Sequence, residues 1–166
     1  MSTMQPQALR AGAKRSRSRG QSLVEFAVSL PILLLILTGI FTFGIAFNNY
    51  LMLTDAVGVG GRQLAVSRGN TTDPCTTAAN AVFGVAPYLD AGSMKFTIVL
   101  SGTTVAGPDA IRPTCSSGST TTGAAGDLVQ GGTAQITVKY PCNLKVFGIN
   151  YAPSCTVASQ VTEVVQ

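Results

Sequence analysis

The chain has 166 residues, of which 46% are hydrophobic and only 11% charged. That is too little charge for an ordinary cytosolic surface and points to a membrane or extracytoplasmic setting. The net charge of +4 is segregated: residues 1–20 carry Arg10, Lys14, Arg15, Arg17 and Arg19 with no acid, and the rest set six Lys/Arg against seven acids. No aromatic or base-reading residues accompany the basic patch, which argues against nucleic acid as a partner. Beside an apolar run it reads as a topology signal, because cytoplasmic flanks retain Lys and Arg.

In chain order, residues 1–20 read as a polar, basic, disordered leader ending at Gly20. Gln21-Ser22-Leu23-Val24-Glu25-Phe26 follows, and an uncharged stretch of 22 residues runs from Phe26 to Phe47. As a helix this stretch rises roughly 33 Å, enough to cross a hydrocarbon core of ~30 Å. Glu25 is the lone acid at its lip, and an acid there is a functional-site hypothesis by default. Pro31 frees the carbonyl of Ala27 and is expected to bend the helix, unless it is merely tolerated in lipid. Asn48 to Arg68 keeps Tyr50, Leu51, Leu53, Val57, Leu64 and Ala65 at mostly helical spacings, so the helix is expected to continue as an amphipathic segment. Gly58, Gly60 and Gly61 weaken it and mark either a hinge or a close contact. They lack the spacing and the following Lys of a phosphate loop.

Gly69 to Pro74 is a breaker. Cys75 to Leu89 reads as a short Ala-rich helix, with Thr72 or Asp73 available as its cap. Met94 to Leu100 and Ala134 to Tyr140 alternate as strands, and Gly102 to Gly126 reads as a long flexible connection pinned at Cys115. In the segment from Cys155 to Val165, Val157, Val161 and Val165 recur at a spacing a helix also uses. Its Val and Thr content favours a strand. The expected fold is α+β: a transmembrane helix extended into an amphipathic helix, then a short helix and a small antiparallel sheet. The divisions are a leader (1–20), the transmembrane and extended helix (21–69) and an extracytoplasmic head (70–166).

Cys75, Cys115, Cys142 and Cys155 all lie beyond the apolar run, an even count on the side expected to leave the cytoplasm, which favours two disulfides over free thiols. Of three connectivities, Cys142–Cys155 with Cys75–Cys115 is the most economical, since Cys142 and Cys155 flank a 12-residue excursion between two strands. No C-x-x-C spacing exists, and no metal or cofactor is expected. The chain has no histidine, no paired carboxylates in one motif and no G-x-S-x-G. The expectation is therefore a protein that is not an enzyme and has no small-molecule substrate. Asn70-Thr71-Thr72 matches a glycosylation sequon, a three-residue pattern of little weight.

Arg19 to Phe26, the apolar helix with Pro31, Gly39 and Gly44, and Asn49-Tyr50 through Gly61-Arg62 resemble TadE-like proteins, the minor pilins or pseudopilins of Flp (Tad, type IVc) pilus systems. Ile136 to Pro141 and the last strand with Glu163 resemble the family's ending more weakly, and Thr71 to Gly132 departs from it. The resemblance implies a pilin-like head and cleavage after Gly20 by a prepilin peptidase, so that Gln21 becomes the first residue. It implies assembly through Glu25 and Phe26 with other pilin subunits and the machinery of the bacterial inner membrane. The chain would be single-pass in the lipid bilayer, its N-terminus cytoplasmic, with a role in adhesion, surface colonisation or secretion. Two other readings compete: a protein released by signal peptidase at Gly44-Ile45-Ala46, and an uncleaved single-pass anchor whose head binds a partner.

Overall fold

The computed structural model describes residues 17–115, 126–142, 144–146 and 148–166; most of the expected leader lies outside them. Among the described residues nine elements follow one another. They are helix α1 (Arg17–Ala65), helix α2 (Pro74–Val85), a 3-10 turn (Ala91–Ser93), and strands β1 (Lys95–Leu100), β2 (Thr103–Ala110), β3 (Thr133–Pro141), β4 (Lys145–Val146), β5 (Ile149–Asn150) and β6 (Thr156–Val164). The chain divides into two compact units, Met1–Ile40 and Phe41–Gln166. The C-terminal part of α1 is therefore a component of the head.

The head is a four-stranded sheet in the order β2-β1-β3-β6 with every pairing antiparallel, plus a two-stranded β4-β5 hairpin. Period-two alternation builds its inner face: Phe96, Ile98 and Leu100 from β1, and Ala134, Ile136, Val138 and Tyr140 from β3, are buried. Against this face lie Leu53, Ala56, Val57 and Leu64 of α1 and Cys75, Ala78, Ala79 and Val82 of α2, in one core. Phe83 meets Phe96 edge to face with ring centroids 5.5 Å apart.

Local chemistry sets the element ends. Helix α1 ends at Ala65, and the turn that follows it contains Gly69 in left-handed backbone at φ 75°. There Ser67 Oγ donates to the Leu64 carbonyl at 2.7 Å and Asn70 Nδ2 to the Val66 carbonyl at 3.1 Å. Helix α2 starts at the Asp73 cap with Pro74 in its first turn, and ends at Val85 rather than at the expected Leu89. Pro87 disfavours helical backbone at Ala86, which closes the helix four residues early. Ser101 (φ 47°) and Gly102 (φ 86°) form the two-residue turn that joins β1 to β2.

Strand β2 corrects the expectation of a flexible connection from Gly102 to Gly126: its first third is the edge strand beside β1. Gly107 and Pro108 hide it in the sequence, but an edge strand tolerates proline where no ladder donor is needed. The later part of that connection, residues 116–125, lies outside the described residues. The excursion between β3 and β6 carries the β4-β5 hairpin, whose two-residue strands are too short to leave a sequence pattern.

The glycines of α1 resolve into two kinds. A Cβ on Gly61 would overlap the Val161 methyl of β6, and one on Gly60 would fall 3.3 Å from the Ala78 carbonyl of α2 while crowding Val82. Nothing lies within 4 Å of a Cβ on Gly58. Gly60 and Gly61 are thus close contacts rather than a hinge. Gly61→Ala is expected to destabilise the head by about 1–3 kcal/mol through overpacking. Gly58→Ala should be neutral or stabilise by up to ~1 kcal/mol through helix propensity. Urea unfolding followed by far-UV circular dichroism measures both.

Candidate functional site

The N-terminal unit offers the first candidate. In α1, Gly20, Gln21, Glu25 and Phe26 are all exposed. The helix runs on through Pro31 without interruption. From Leu23 to Phe47 almost every large apolar side chain is also exposed; Leu35 and Phe43 are 73% and 71% accessible. Segment Gly20–Ala65 is long and apolar enough to cross a membrane. Its hydroxyls turn back onto the backbone: Ser29 Oγ donates to the carbonyls of Glu25 (2.9 Å) and Phe26 (3.2 Å), and Thr38 Oγ1 to that of Leu34 (2.7 Å). A hydroxyl satisfied within its own helix is compatible with hydrocarbon around it. Phe26, Ser29, Leu30, Leu33 and Ile36 border a shallow apolar recess on this helix. Between Leu23 and Phe47 the helix therefore presents mostly apolar surface with a single carboxylate, Glu25, near its start.

The second cluster lies in the head around Asp73. Its Oδ1 accepts the backbone N–H of Thr76 at 3.0 Å and that of Cys115 at 3.0 Å, and its Oδ2 accepts the Thr76 hydroxyl at 2.8 Å. Burial acts to raise the Asp73 pKa, but the hydrogen bonds from Thr76, Cys115 and Cys75 together outweigh it and hold the carboxyl below its ordinary value. Ligand atoms of Asp73, Cys75 and Cys115 lie within 4.8 Å of one another. The two sulfurs, however, are joined as a disulfide, and the carboxylate oxygens are occupied by hydrogen bonds. The cluster is a structural joint between the start of α2 and the chain leaving β2. The sequence offers Asp73 as a cap; its bond to Cys115, 42 positions away, is visible only in the fold.

Cys142 pairs with Cys155, so the two bridges close sequence separations of 40 and 13. Asp90, fully exposed, is held below its ordinary pKa by the Ser93 hydroxyl and the Gly92 N–H. Its own N–H donates to the Tyr140 hydroxyl at 3.3 Å, tying the 3-10 turn to β3.

These features define the class: an α+β protein with one N-terminal apolar helix that fits a single-pass membrane anchor, and a disulfide-bonded head. Residues 20–62 match the family model described as TadE-like protein. No curated protein and no solved structure matches the chain. The matched segment begins at the Gly20 junction and ends one residue past Gly61.

Asp73→Ala is expected to cost about 1 kcal/mol at neutral pH through loss of the cap. The folded carboxyl titrates below the unfolded one. Its contribution is therefore complete above the unfolded carboxylate pKa and is lost as pH falls through the folded value. Denaturation curves of the two proteins should accordingly converge in acid and stay apart at pH 7.

Proposed function

We propose that this chain is a minor pilin or pseudopilin, cleaved after Gly20 by a membrane prepilin peptidase and built into a Flp/Tad pilus or its assembly base. The observation that carries this reading is the coincidence of three features in one segment. A basic leader ends at Gly20, a lone acid stands five residues on, and an exposed apolar helix follows within a TadE-like match.

The physical logic runs through charge. The leader keeps the precursor's N-terminus on the cytoplasmic side. Cleavage removes five cations and creates an α-ammonium on Gln21 at the end of the helix. An unpaired carboxylate in lipid is costly, up to ~2.5–3.5 kcal/mol on insertion scales at mid-membrane and less towards the lip where Glu25 stands. Glu25 is the group whose pairing with the new ammonium of a neighbouring subunit relieves that cost and sets the register between helices. Phe26 and the apolar residues after it supply the packing surface. The partners in this account are the peptidase, the lipid bilayer, other pilin subunits and the inner-membrane assembly machinery.

Two substitutions test it in the native host. Gly20→Ala should accumulate a precursor heavier by the 20-residue leader on immunoblots of membranes. Glu25→Gln should insert and be processed, yet enter sheared pili at about a tenth of the wild-type level or less, as expected when one member of a buried ion pair is lost. Wild-type processing of the first variant, or wild-type incorporation of the second, would contradict the proposal.

A further inference from the structure

The two edges of the sheet are built differently. Strand β2 is blunted: its pairing with β1 slips in register between Phe96 and Ile98 and again between Ile98 and Val99. It contains Gly107 and Pro108, and Asp109 sits in left-handed backbone at φ 69°. Bulges, proline and an edge charge are the usual devices that keep a strand edge from pairing with another chain. Strand β6 has neither bulge nor proline, and its one charge is Glu163. It pairs with β3 over nine consecutive residues without a shift, and it contains no proline, lysine or arginine.

The ladder fixes which groups of β6 point away from β3. At one end the Cys142 N–H donates to the Cys155 carbonyl at 3.0 Å, and at the other the Val165 N–H donates to the Gly132 carbonyl at 2.9 Å. Odd-numbered residues of β6 therefore exchange bonds with β3, because bonded and non-bonded pairs alternate in an antiparallel ladder. The N–H and C=O groups of Thr156, Ala158, Gln160, Thr162 and Val164 face outward, and no strand lies on that side among the described residues. The same parity explains why Pro141 is harmless opposite Thr156, in a pair that exchanges no bonds with β6.

Two further observations bear on this edge. Glu163, on the helix side of β6, is half-buried and forms no ion pair among the described residues. Its Cγ lies 3.5 Å from the Cβ position of Gly61. On α1, Gly58 lies three residues before Gly61, on a neighbouring part of the same helix face, and leaves open space there.

We propose that the β6 edge is a strand-addition site for an extended segment of a different protein chain, apolar on alternate residues and carrying a lysine or arginine that meets Glu163. The backbone groups demand an extended partner. The charge argues against a second copy of this chain: the edges of its main sheet, β6 and β2, contain no cation, β2 adds Asp109, and β4, which carries Lys145, is only two residues long. The inference concerns the head and does not depend on processing at Gly20.

The test uses the full-length chain in detergent micelles and a synthetic nine-residue peptide of alternating Thr and Val with one Lys on the Val side. Hydrogen exchange is read at the amides of Thr156, Ala158, Gln160, Thr162 and Val164. Alone, these amides should exchange rapidly; saturating peptide should slow them by about tenfold or more. Gln160→Pro removes an outward donor without touching the β3 ladder. It should abolish that protection while thermal unfolding stays close to wild type. Glu163→Gln should weaken peptide binding by about threefold. Unchanged exchange at millimolar peptide, or full protection retained in Gln160→Pro, would overturn the proposal. Protection that instead rises with protein concentration in the absence of peptide would also overturn it, by assigning the edge to a second copy.

Discussion

How closely α1 approaches its neighbours at Gly60 and Gly61 governs the rest of the head. A side chain at either position would hold the helix off α2 or β6 and open the core between Leu53, Val57, Leu64 and Ile136. With hydrogen atoms there instead, α1 contributes four fully buried residues, Leu53, Ala56, Val57 and Leu64, and serves as the spine against which a single sheet packs. The same element that presents bare apolar surface at Leu23 to Phe47 thus becomes the core of a folded head from Leu53 onward. The TadE-like match spans both regions. This is physically coherent, since one helix carries both the surface suited to lipid and the contact that organises the head.

A head of this size has little core to spare, and its two bridges compensate at both ends of the fold. Cys142–Cys155 extends the β3-β6 ladder by one pair past Pro141 and Thr156. Cys75–Cys115 ties the first turn of α2 to the chain leaving β2, with Asp73 bonded to Cys115 beside it. Sequence separations of 13 and 40 correspond to about 3 and about 4 kcal/mol in the loop-closure picture.

Much of this was legible in the sequence, for reasons that differ by element. The apolar run and the helical spacing of Leu53, Val57 and Leu64 announce α1, because composition and period agree. Strands β1 and β3 alternate cleanly because one face is covered and the other is not. Strand β6 is ambiguous on its valines alone. Val157, Val161 and Val165 share its inner side with Ser159 and Glu163, so the polar pair masks the two-residue period. Strand β2 is hidden by the residues that make it a poor edge for pairing, Gly107 and Pro108. Gly60 and Gly61 are unreadable without tertiary contacts, since their role depends on Val161 and Val82, far away in the chain. In the N-terminal unit the position of Gly20, Glu25 and Phe26 is plain in sequence, and their chemistry with partners lies beyond a single chain.

The most direct measurement of the central claim is the N-terminal residue of the mature protein, obtained by mass spectrometry of membrane fractions from the native host. The account predicts a chain beginning at Gln21 with Glu25 as its fifth residue. A chain beginning at Met1 or Ser2, or one released from Phe47, would contradict it.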